Sequence, residues 1–267
     1  MIDTDGNVSV LCVVGNVNGM ARLHDVVYAV CYMSSTIMRF NATTRQRLKD
    51  IDVKGLIQPR GIVACERKSQ LYVVETGYVL RVSSDGTDIQ HWLPKSPDDT
   101  FKPWSLSVTS TRLLVTSRFT RQLRQFDADG DELRRVQLPD HMEPQHAVES
   151  PTGTFIVSLY NDQLQQDQVV EVNTGGVLRQ FSGSRLTSLG ETPHVAVDSH
   201  GNIFVADFDN RHILLLDDHL SLRRVIIDEH QLNYEQPWRL CYVEQSGRLM
   251  VGLFGSSVAV FDMIRRY

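Results

Sequence analysis

The sequence predicts an all-β protein, a closed six-bladed β-propeller of four-stranded antiparallel blades. One observation is an apolar hexamer that recurs six times, with starts about 42 to 48 residues apart. Another is that the segments between the hexamers also read as short strands separated by turn residues. A period of about 45 residues built from four short strands is typical of one propeller blade. The hexamers occupy residues 27–32, 71–76, 113–118, 155–160, 203–208 and 249–254.

The third repeat contains every strand of a blade. Residues 103–108 form the predicted inner strand, 112–117 the second strand and 123–126 the third. The Asp-Ala-Asp-Gly turn at 127–130 supplies a glycine where a positive φ is needed. Residues 133–138 then alternate apolar and polar side chains, as a half-exposed outer strand does. Five of the inner strands open with a proline, where the missing N–H removes no ladder hydrogen bond.

The two ends of the chain together complete one blade. The sixth repeat stops after its third strand, and residues 8–13 supply the missing outer strand. Pairing these segments closes the propeller and removes exposed strand edges. We therefore expect one propeller domain over residues 1–267. Its expected blades are approximately 15–56, 57–100, 101–142, 143–191, 192–235, and 236–262 plus 1–14.

Composition and charge narrow the class of protein. The net charge of −5 argues against binding polyanions over the whole surface, but it allows one basic face. The chain holds no apolar run of 18 residues and no signal-peptide layout at its start, so we expect no membrane association. The four cysteines form no Cys-x-x-Cys pair, which indicates free thiols in a reducing compartment. We expect a cytoplasmic protein with no cofactor and no metal.

The fifth repeat carries a family resemblance. It reads PHVAVD at 193–198, GNIFVAD at 201–207 and NRHI at 210–213. This pattern resembles the NHL repeat, and the whole chain resembles the six-bladed propeller that ends animal TRIM-NHL proteins. The resemblance implies a non-catalytic propeller that binds RNA or protein on one face. Asp198 and Asp207 of the motif are expected to cap turns.

One rim of the propeller is the predicted binding face. The last residue of each hexamer, the loop before each inner strand and the loop after each hexamer should all reach it. The rim is rich in aromatic residues and arginines, which stack bases and hold phosphates and which also dominate protein–protein hot spots. The predicted binding residues are Tyr32, Arg60, Tyr78, Trp104, Arg118, Phe119, Arg121, His146, Tyr160, His194, Phe208, Asn210, Arg211, Trp238, Arg239 and Phe254.

Three interpretations of this rim stay open. Its aromatic side chains could plug the channel mouth and pack under neighbouring loops, bind a protein or peptide, or bind RNA. Arg118, Arg121 and Arg124 are the best phosphate-binding cluster, although solvent exposure or an ion pair with Asp127 explains them equally well. Acidic residues on the same loops, among them Glu75, weaken the case for RNA.

A propeller lactonase or lyase with an axial metal is a further alternative. Such a site needs convergent carboxylates, amides or imidazoles on the inner strands. His146, His194 and His212 could approach one another, but their spacing does not match a zinc motif. There is no Gly-x-Ser-x-Gly elbow and no phosphate-binding loop. The inner strands open with Arg60, Trp104, Gln145, His194 and Trp238, which make a poor cage for a hard cation.

With the family resemblance added, we expect a non-enzymatic recognition module that binds single-stranded or stem-loop RNA through the rim. A protein-interaction scaffold that uses the same rim, as the recruitment domain of a TRIM-type ubiquitin ligase, is the alternative. DNA binding is not expected, and the isolated domain is expected to be monomeric.

Overall fold

The computed structural model describes residues 8–12, 15–94, 99–181, 193–255 and 257–263. For residues 8–12 it describes the backbone only. These residues form 24 strands and two short 3-10 turns, at Glu66–Lys68 and Glu244–Ser246. The strands make six antiparallel sheets of four. The prediction of an all-β, six-bladed propeller is therefore confirmed. None of the described residues belongs to a helix long and apolar enough to span a membrane.

The strands of each blade run in chain order from the central channel outwards. Strand β1 (Val8–Cys12) precedes the first blade. Blade 1 contains β2 (Val17–Leu23), β3 (Val26–Cys31), β4 (Thr36–Asn41) and β5 (Ile51–Asp52). Blade 2 contains β6 (Gly61–Cys65), β7 (Gln70–Glu75), β8 (Tyr78–Ser83) and β9 (Ile89–Leu93). Blade 3 contains β10 (Ser105–Thr109), β11 (Arg112–Ser117), β12 (Gln122–Phe126) and β13 (Glu132–Gln137).

The second half of the chain repeats this order, and its last blade borrows a strand. Blade 4 contains β14 (Met142–Glu149), β15 (Phe155–Asn161), β16 (Gln166–Asn173) and β17 (Gly176–Gln180). Blade 5 contains β18 (His194–Val197), β19 (Ile203–Asp207), β20 (His212–Leu216) and β21 (Leu222–Ile227). Blade 6 contains β22 (Pro237–Val243), β23 (Arg248–Leu253), β24 (Ser257–Asp262) and, as its outer strand, β1.

The apolar core lies between the blades. Successive residues of a strand point to opposite faces of its sheet, so each blade contributes to two clusters. In β15, Phe155 and Val157 pack towards blade 3, whereas Ile156 packs towards blade 5. Six such clusters occur, one for each pair of neighbouring blades, and one of them joins blade 6 to blade 1. Burying both faces explains why the middle strands read as continuous apolar runs.

Closure of the propeller depends on β1. It pairs antiparallel with β24 from Val8 opposite Phe261 to Cys12 opposite Ser257. The predicted completion of the last blade by the N-terminal strand is therefore confirmed. This pairing covers a strand edge of blade 6 that would otherwise expose unpaired backbone groups.

Turn chemistry in the fifth blade follows the prediction for the two aspartates. Oδ1 of Asp198 accepts the backbone N–H groups of His200 and Asn202. Oδ2 of Asp207 accepts the side-chain amide of Asn210 at 2.9 Å. These carboxylates hold turns, which confirms their predicted structural role.

The outer strand of blade 1 is shorter than expected. The sequence predicts a strand at 48–53, whereas β5 covers only Ile51–Asp52. Oδ1 of Asn41 accepts the N–H groups of Thr43 and Thr44 and turns the chain early. The N–H of Leu48 then bonds to the carbonyl oxygen of Arg39, outside a regular ladder.

Removal of residues 1–13 should lower the midpoint of urea-induced unfolding, because β24 loses its partner strand and the last blade its outer edge. Urea titration followed by circular dichroism measures this effect. A peptide of residues 1–13 added in trans should restore part of the loss. An unchanged midpoint in the shortened chain would contradict closure through β1.

The inner strands of blades 1 and 2 approach so closely that one position requires glycine. A Cβ at Gly19 would lie 2.6 Å from Cα of Gly61 and 2.6 Å from N of Ile62. Gly19→Ala should therefore lower the free energy of unfolding by about 1–3 kcal/mol, the usual cost of overpacking. Gly61→Ala is the matched control, since its Cβ meets only the Val74 side chain at 3.4 Å. Equal losses in the two variants would contradict this account of the contact.

Candidate functional site

The inner strands surround a central cavity of about 470 Å³. Each inner strand places one residue opposite the fourth residue of the repeated hexamer, at the end where the inner strands begin. We name this end the channel mouth. The six equivalent residues all line the cavity and are Gly19, Gly61, Ser105, His146, His194 and Arg239.

A series of contacts runs round the channel mouth and links each blade to the next. Nε of Arg239 in blade 6 donates to the carbonyl oxygen of Asn18 in blade 1, at 3.0 Å. The side-chain amide of Asn18 donates to the carbonyl oxygen of Pro59, at the start of blade 2, at 2.8 Å. Asn18 is buried, and buried polar groups without hydrogen-bond partners would destabilise the folded protein. These two bonds supply the partners.

Arg60 continues the series from blade 2 to blade 3. Its Cζ atom lies 3.6 Å from the centroid of the Trp104 ring, a close cation–π contact. Its Nε donates to Oγ1 of Thr76 at 3.3 Å. Nε1 of Trp104 in turn donates to Oε1 of Gln145 in blade 4, at 3.0 Å. The tryptophan therefore fixes the guanidinium of Arg60 beside the cavity.

Two histidines complete the series. Nδ1 of His146 in blade 4 lies 2.5 Å from Oγ of Ser105 in blade 3. The imidazole of His146 stacks on that of His194 in blade 5, with centroids 3.7 Å apart and planes inclined by 19°. The backbone N–H of Leu240 in blade 6 donates to Nδ1 of His194 at 3.3 Å. This hydrogen bond closes the series of contacts round the six blades. We name the complete series the mouth circuit.

Both imidazoles are neutral near pH 7. Burial lowers the pKa of His146 to about 3, with a further contribution from the charge of Arg239. Burial also lowers the pKa of His194 well below its usual value, helped by His146 and Arg239. Because Nδ1 of His194 accepts the N–H of Leu240, the proton of the neutral ring is on Nε2. The mouth thus holds two neutral imidazoles beside two guanidinium groups.

Three of the predicted rim residues form an aromatic cluster next to Arg239. Phe208, Trp238 and Phe254 have ring centroids 5.4 to 5.5 Å apart. Cζ of Arg239 lies 4.4 Å from the centroid of Trp238. Nε1 of Trp238 is buried and has no hydrogen-bond partner among the described residues. The aromatic side chains pack on one another and on the mouth, which matches the interpretation of packing at the channel mouth.

The arginines proposed to hold phosphates are held by carboxylates instead. Nε of Arg118 donates to Oε2 of Glu143 at 2.8 Å. Arg121 lies 3.7 Å from both Glu143 and Asp162. Arg124 is buried, with NH1 at 2.8 Å from Oδ2 of Asp99 and 3.6 Å from Glu132. The ion pair expected with Asp127 is therefore wrong for Arg124, whose partners are Asp99 in the loop before β10 and Glu132 at the start of β13.

The remaining predicted rim residues lie outside the mouth circuit and do not line the cavity. Tyr32 and Phe119 are 51% and 57% exposed, although Phe119 contacts the edge of Trp104. Tyr78 donates to the carbonyl oxygen of Gly55. The others are Tyr160, which is half-buried in β15, Asn210, which is exposed, and Arg211, whose Nε is buried.

The histidine expectation is met in part. The rings of His146 and His194 stack, but His212 lies opposite Asp207 in the ladder between β19 and β20 and does not line the cavity. Over the described part of the chain, three potential metal ligands within mutual reach occur at Asp217, Asp218 and His219, on an exposed turn. The described mouth residues therefore offer two imidazoles, fewer than the three protein ligands of a catalytic zinc site.

Sequence reasoning missed Ser105 and Asn18. A lone serine in a chain with many hydroxyl side chains gives no signal by itself. The signal is positional, because Ser105 lies opposite the fourth hexamer residue, as His146, His194 and Arg239 do. The inner strands of blades 1, 4 and 6 reach this register through a bulge, which hides the equivalence in the sequence.

Fold and cavity together define a six-bladed propeller with a polar central mouth. No family model matches the sequence, and curated protein sequences give no match either. Solved structures are similar in fold. A gluconolactonase from Xanthomonas campestris has a TM-score of 0.72 at 13% identity, over 96% of this chain and 90% of that chain.

Two further enzymes share the fold. Virginiamycin B lyase from Staphylococcus aureus has a TM-score of 0.66 at 9% identity, over 97% of this chain and 100% of that chain. Hydrazine synthase from Kuenenia stuttgartiensis has a TM-score of 0.65 at 12% identity, over 92% of this chain and 83% of that chain. Identities this low establish similarity of fold alone.

The prediction of an RNA-binding or scaffold rim is wrong. The solved structures that share this propeller include a lactonase, a lyase and a synthase. The contacts of the rim point the same way, because Arg118 and Arg121 are engaged by Glu143 and Asp162. The two histidines that line the cavity, with Arg60 and Arg239, lie at the channel mouth, on the inner side of the predicted rim.

Acidification should destabilise the protein through the mouth histidines. The folded-state pKa of His146 lies below the unfolded value of about 6.5, so the unfolded state binds its proton first as pH falls. Between about pH 7 and about pH 5 this single group should remove about 2 kcal/mol of stability. His146→Gln should therefore lose about 2 kcal/mol less than the wild type over that interval.

Urea titrations at both pH values measure the difference. The control is His219→Gln, on an exposed turn, which should follow the wild type. If His146→Gln lost as much stability as the wild type on acidification, the neutral state of His146 would be contradicted.

Proposed function

We propose that the protein binds a small organic anion in the channel mouth. The observation that carries the proposal is the set of side chains that meet there. The described residues lining the mouth include two guanidinium groups and two imidazoles, and no carboxylate is among them. They are Asn18, Arg60, Ser105, His146, His194 and Arg239.

The acidic residues of the cavity lie at its opposite end. Glu66 and Glu244 follow the last residues of their inner strands, and Glu149 is the last residue of β14. Glu149 is itself paired with Arg112 and Arg134. Arg22 and Arg67 also line that opposite end, so it carries both signs of charge, whereas the described residues of the mouth carry positive charge alone. An anion that enters at the mouth therefore meets attraction first.

Arg60 gives this end its fixed positive charge. Burial lowers the pKa of Arg60 from its usual value, which reflects incomplete solvation of the charge. The Trp104 face and the Thr76 hydroxyl hold the guanidinium in place. The charge of Glu75 opposes the shift of the Arg60 pKa, but the carboxylate oxygens of Glu75 accept the backbone N–H groups of Ile57 and Gln58. A carboxylate or phosphate oxygen would supply the opposite charge and accept the planar N–H donors.

The size of the cavity fits a small molecule. A volume of about 470 Å³ lies within the range of small-ligand sites. Ile62 and Val195 belong to the inner strands that form the cavity wall, with their side chains buried between the blades. A compact acid therefore matches the volume of the cavity and the basic side chains of the mouth.

Other expectations from the sequence stay predictions. The free thiols of Cys31, Cys65 and Cys241 support the cytoplasmic location that we expect. A monomeric state and the resemblance of the fifth blade to the NHL repeat remain expectations too. The proposal of anion binding depends on none of them.

Isothermal titration calorimetry with succinate, inorganic phosphate and neutral succinamide tests the proposal. Succinate or phosphate should bind and succinamide should not, because the mouth offers charge-assisted donors. Arg60→Gln and Arg239→Gln should each weaken the binding about 10- to 100-fold, the effect of one lost charged hydrogen bond.

Arg223→Gln is the matched control, since Arg223 is exposed on outer strand β21. It should bind both anions as the wild type does. If neither anion bound the wild type, or if the control lost as much affinity as the mouth variants, the proposed function would be wrong.

A further inference from the structure

A serine hydroxyl and a neutral imidazole meet at the channel mouth. Ser105 is the first residue of β10, and His146 lies in β14 of the next blade. Their Oγ and Nδ1 atoms are 2.5 Å apart, within hydrogen-bond distance. Both residues line the cavity, and Ser105 is partly exposed whereas His146 is buried. The hydroxyl of Ser105 is therefore on the more exposed residue of the pair.

This pair has the geometry of a nucleophile and its base. In the tautomer that carries its proton on Nε2, Nδ1 of His146 accepts the Ser105 hydroxyl proton. A base within hydrogen-bond distance of a serine hydroxyl is the arrangement that activates it for attack. The stack on His194 holds the His146 ring at a fixed tilt, so the hydrogen bond keeps its direction.

The charge near the Ser105–His146 pair determines which esters should react faster. Burial, and after it the nearby charge of Arg239, lowers the pKa of His146 and makes it a weak base in the empty mouth. An anion bound beside Arg239 would offset that charge and stabilise the imidazolium that forms during proton transfer. Substrates with an anionic group should therefore react faster than neutral ones of the same leaving group.

We propose that Ser105 is a nucleophile, with His146 as its general base, for the hydrolysis of esters that carry a separate anionic group. This proposal rests on the proposed binding of small anions in the same mouth. It adds a covalent step and a substrate class to that function.

The step balances with water as the co-reactant. Oγ of Ser105 attacks the ester carbonyl carbon while its proton moves to Nδ1 of His146. The C–O bond to the alcohol then breaks, the alcohol leaves with the proton from His146, and the acyl group stays on Oγ. Water attacks this acyl carbon and gives a proton to His146. The acid is released, and Oγ of Ser105 takes the proton back.

The experiment uses the mono-4-nitrophenyl ester of succinic acid, with 4-nitrophenyl acetate as the neutral comparison. Release of nitrophenolate gives the rate, and mass spectrometry of quenched protein locates any succinyl group. The variants are Ser105→Ala, Ser105→Cys and His146→Gln. Ser107→Ala is the matched control, because Ser107 lies on the same strand and also lines the cavity.

We expect the anionic ester to react faster than the neutral one and to leave a succinyl group on Ser105. Ser105→Ala and His146→Gln should lower the rate about 100-fold or more. Ser105→Cys should still acquire the acyl group, since a thiol is also a nucleophile, and Ser107→Ala should react as the wild type does.

A wild-type rate in Ser105→Ala, or no hydrolysis by the wild type, would overturn the proposal. Calorimetry with succinate on the wild type and on Ser105→Ala distinguishes a failure of the proposed nucleophile from a failure of the proposed anion binding. Retained succinate binding without hydrolysis would leave anion binding intact and refute only the nucleophile. If the wild type bound neither succinate nor phosphate, both proposals would be wrong.

Discussion

The mouth circuit is the constraint on which the rest of the site depends. Its contacts link every blade to the next, from Arg239 and Asn18 through Arg60 and Trp104 to the stacked histidines. A side chain in the circuit is therefore positioned by two blades at once. Because Nε of Arg239 reaches the carbonyl oxygen of Asn18 across the boundary of blades 6 and 1, the geometry of the mouth is tied to closure of the propeller.

Apolar and polar interactions stabilise different parts of the propeller. The six clusters between the blades bury the middle strands on both faces, and this burial is the main stabilising contribution. The inner edge carries the polar circuit, where buried groups such as Asn18 find partners. At the position opposite the fourth hexamer residue, blades 1 and 2 carry Gly19 and Gly61, which have no side chain. Blades 3 to 6 place Ser105, the two histidines and Arg239 at the same position.

The fold was predictable from the sequence because its signal repeats. The sequence shows a hexamer in each blade, a turn after each third strand and an outer strand at residues 8–13. All three agree with one architecture, down to the pairing of β1 with β24.

The site was predictable only in part. The repeat pattern places Arg60, Trp104, His146, His194 and Arg239 at the end of the propeller where the channel mouth lies, but it gives no signal for Ser105. The ion pairs of Arg118 and Arg121 depend on loop geometry, which local sequence patterns do not encode.

The central claim is that blades 3 to 6 and Arg60 together make an anion site at the channel mouth. The most direct test is a crystal of the protein soaked in 4-bromobenzoate and measured at the bromine absorption edge. We predict an anomalous peak inside the cavity, with the carboxylate in contact with Arg60 or Arg239. Bromine peaks confined to the outer surface of the blades, with no ligand density in the mouth, would contradict the account.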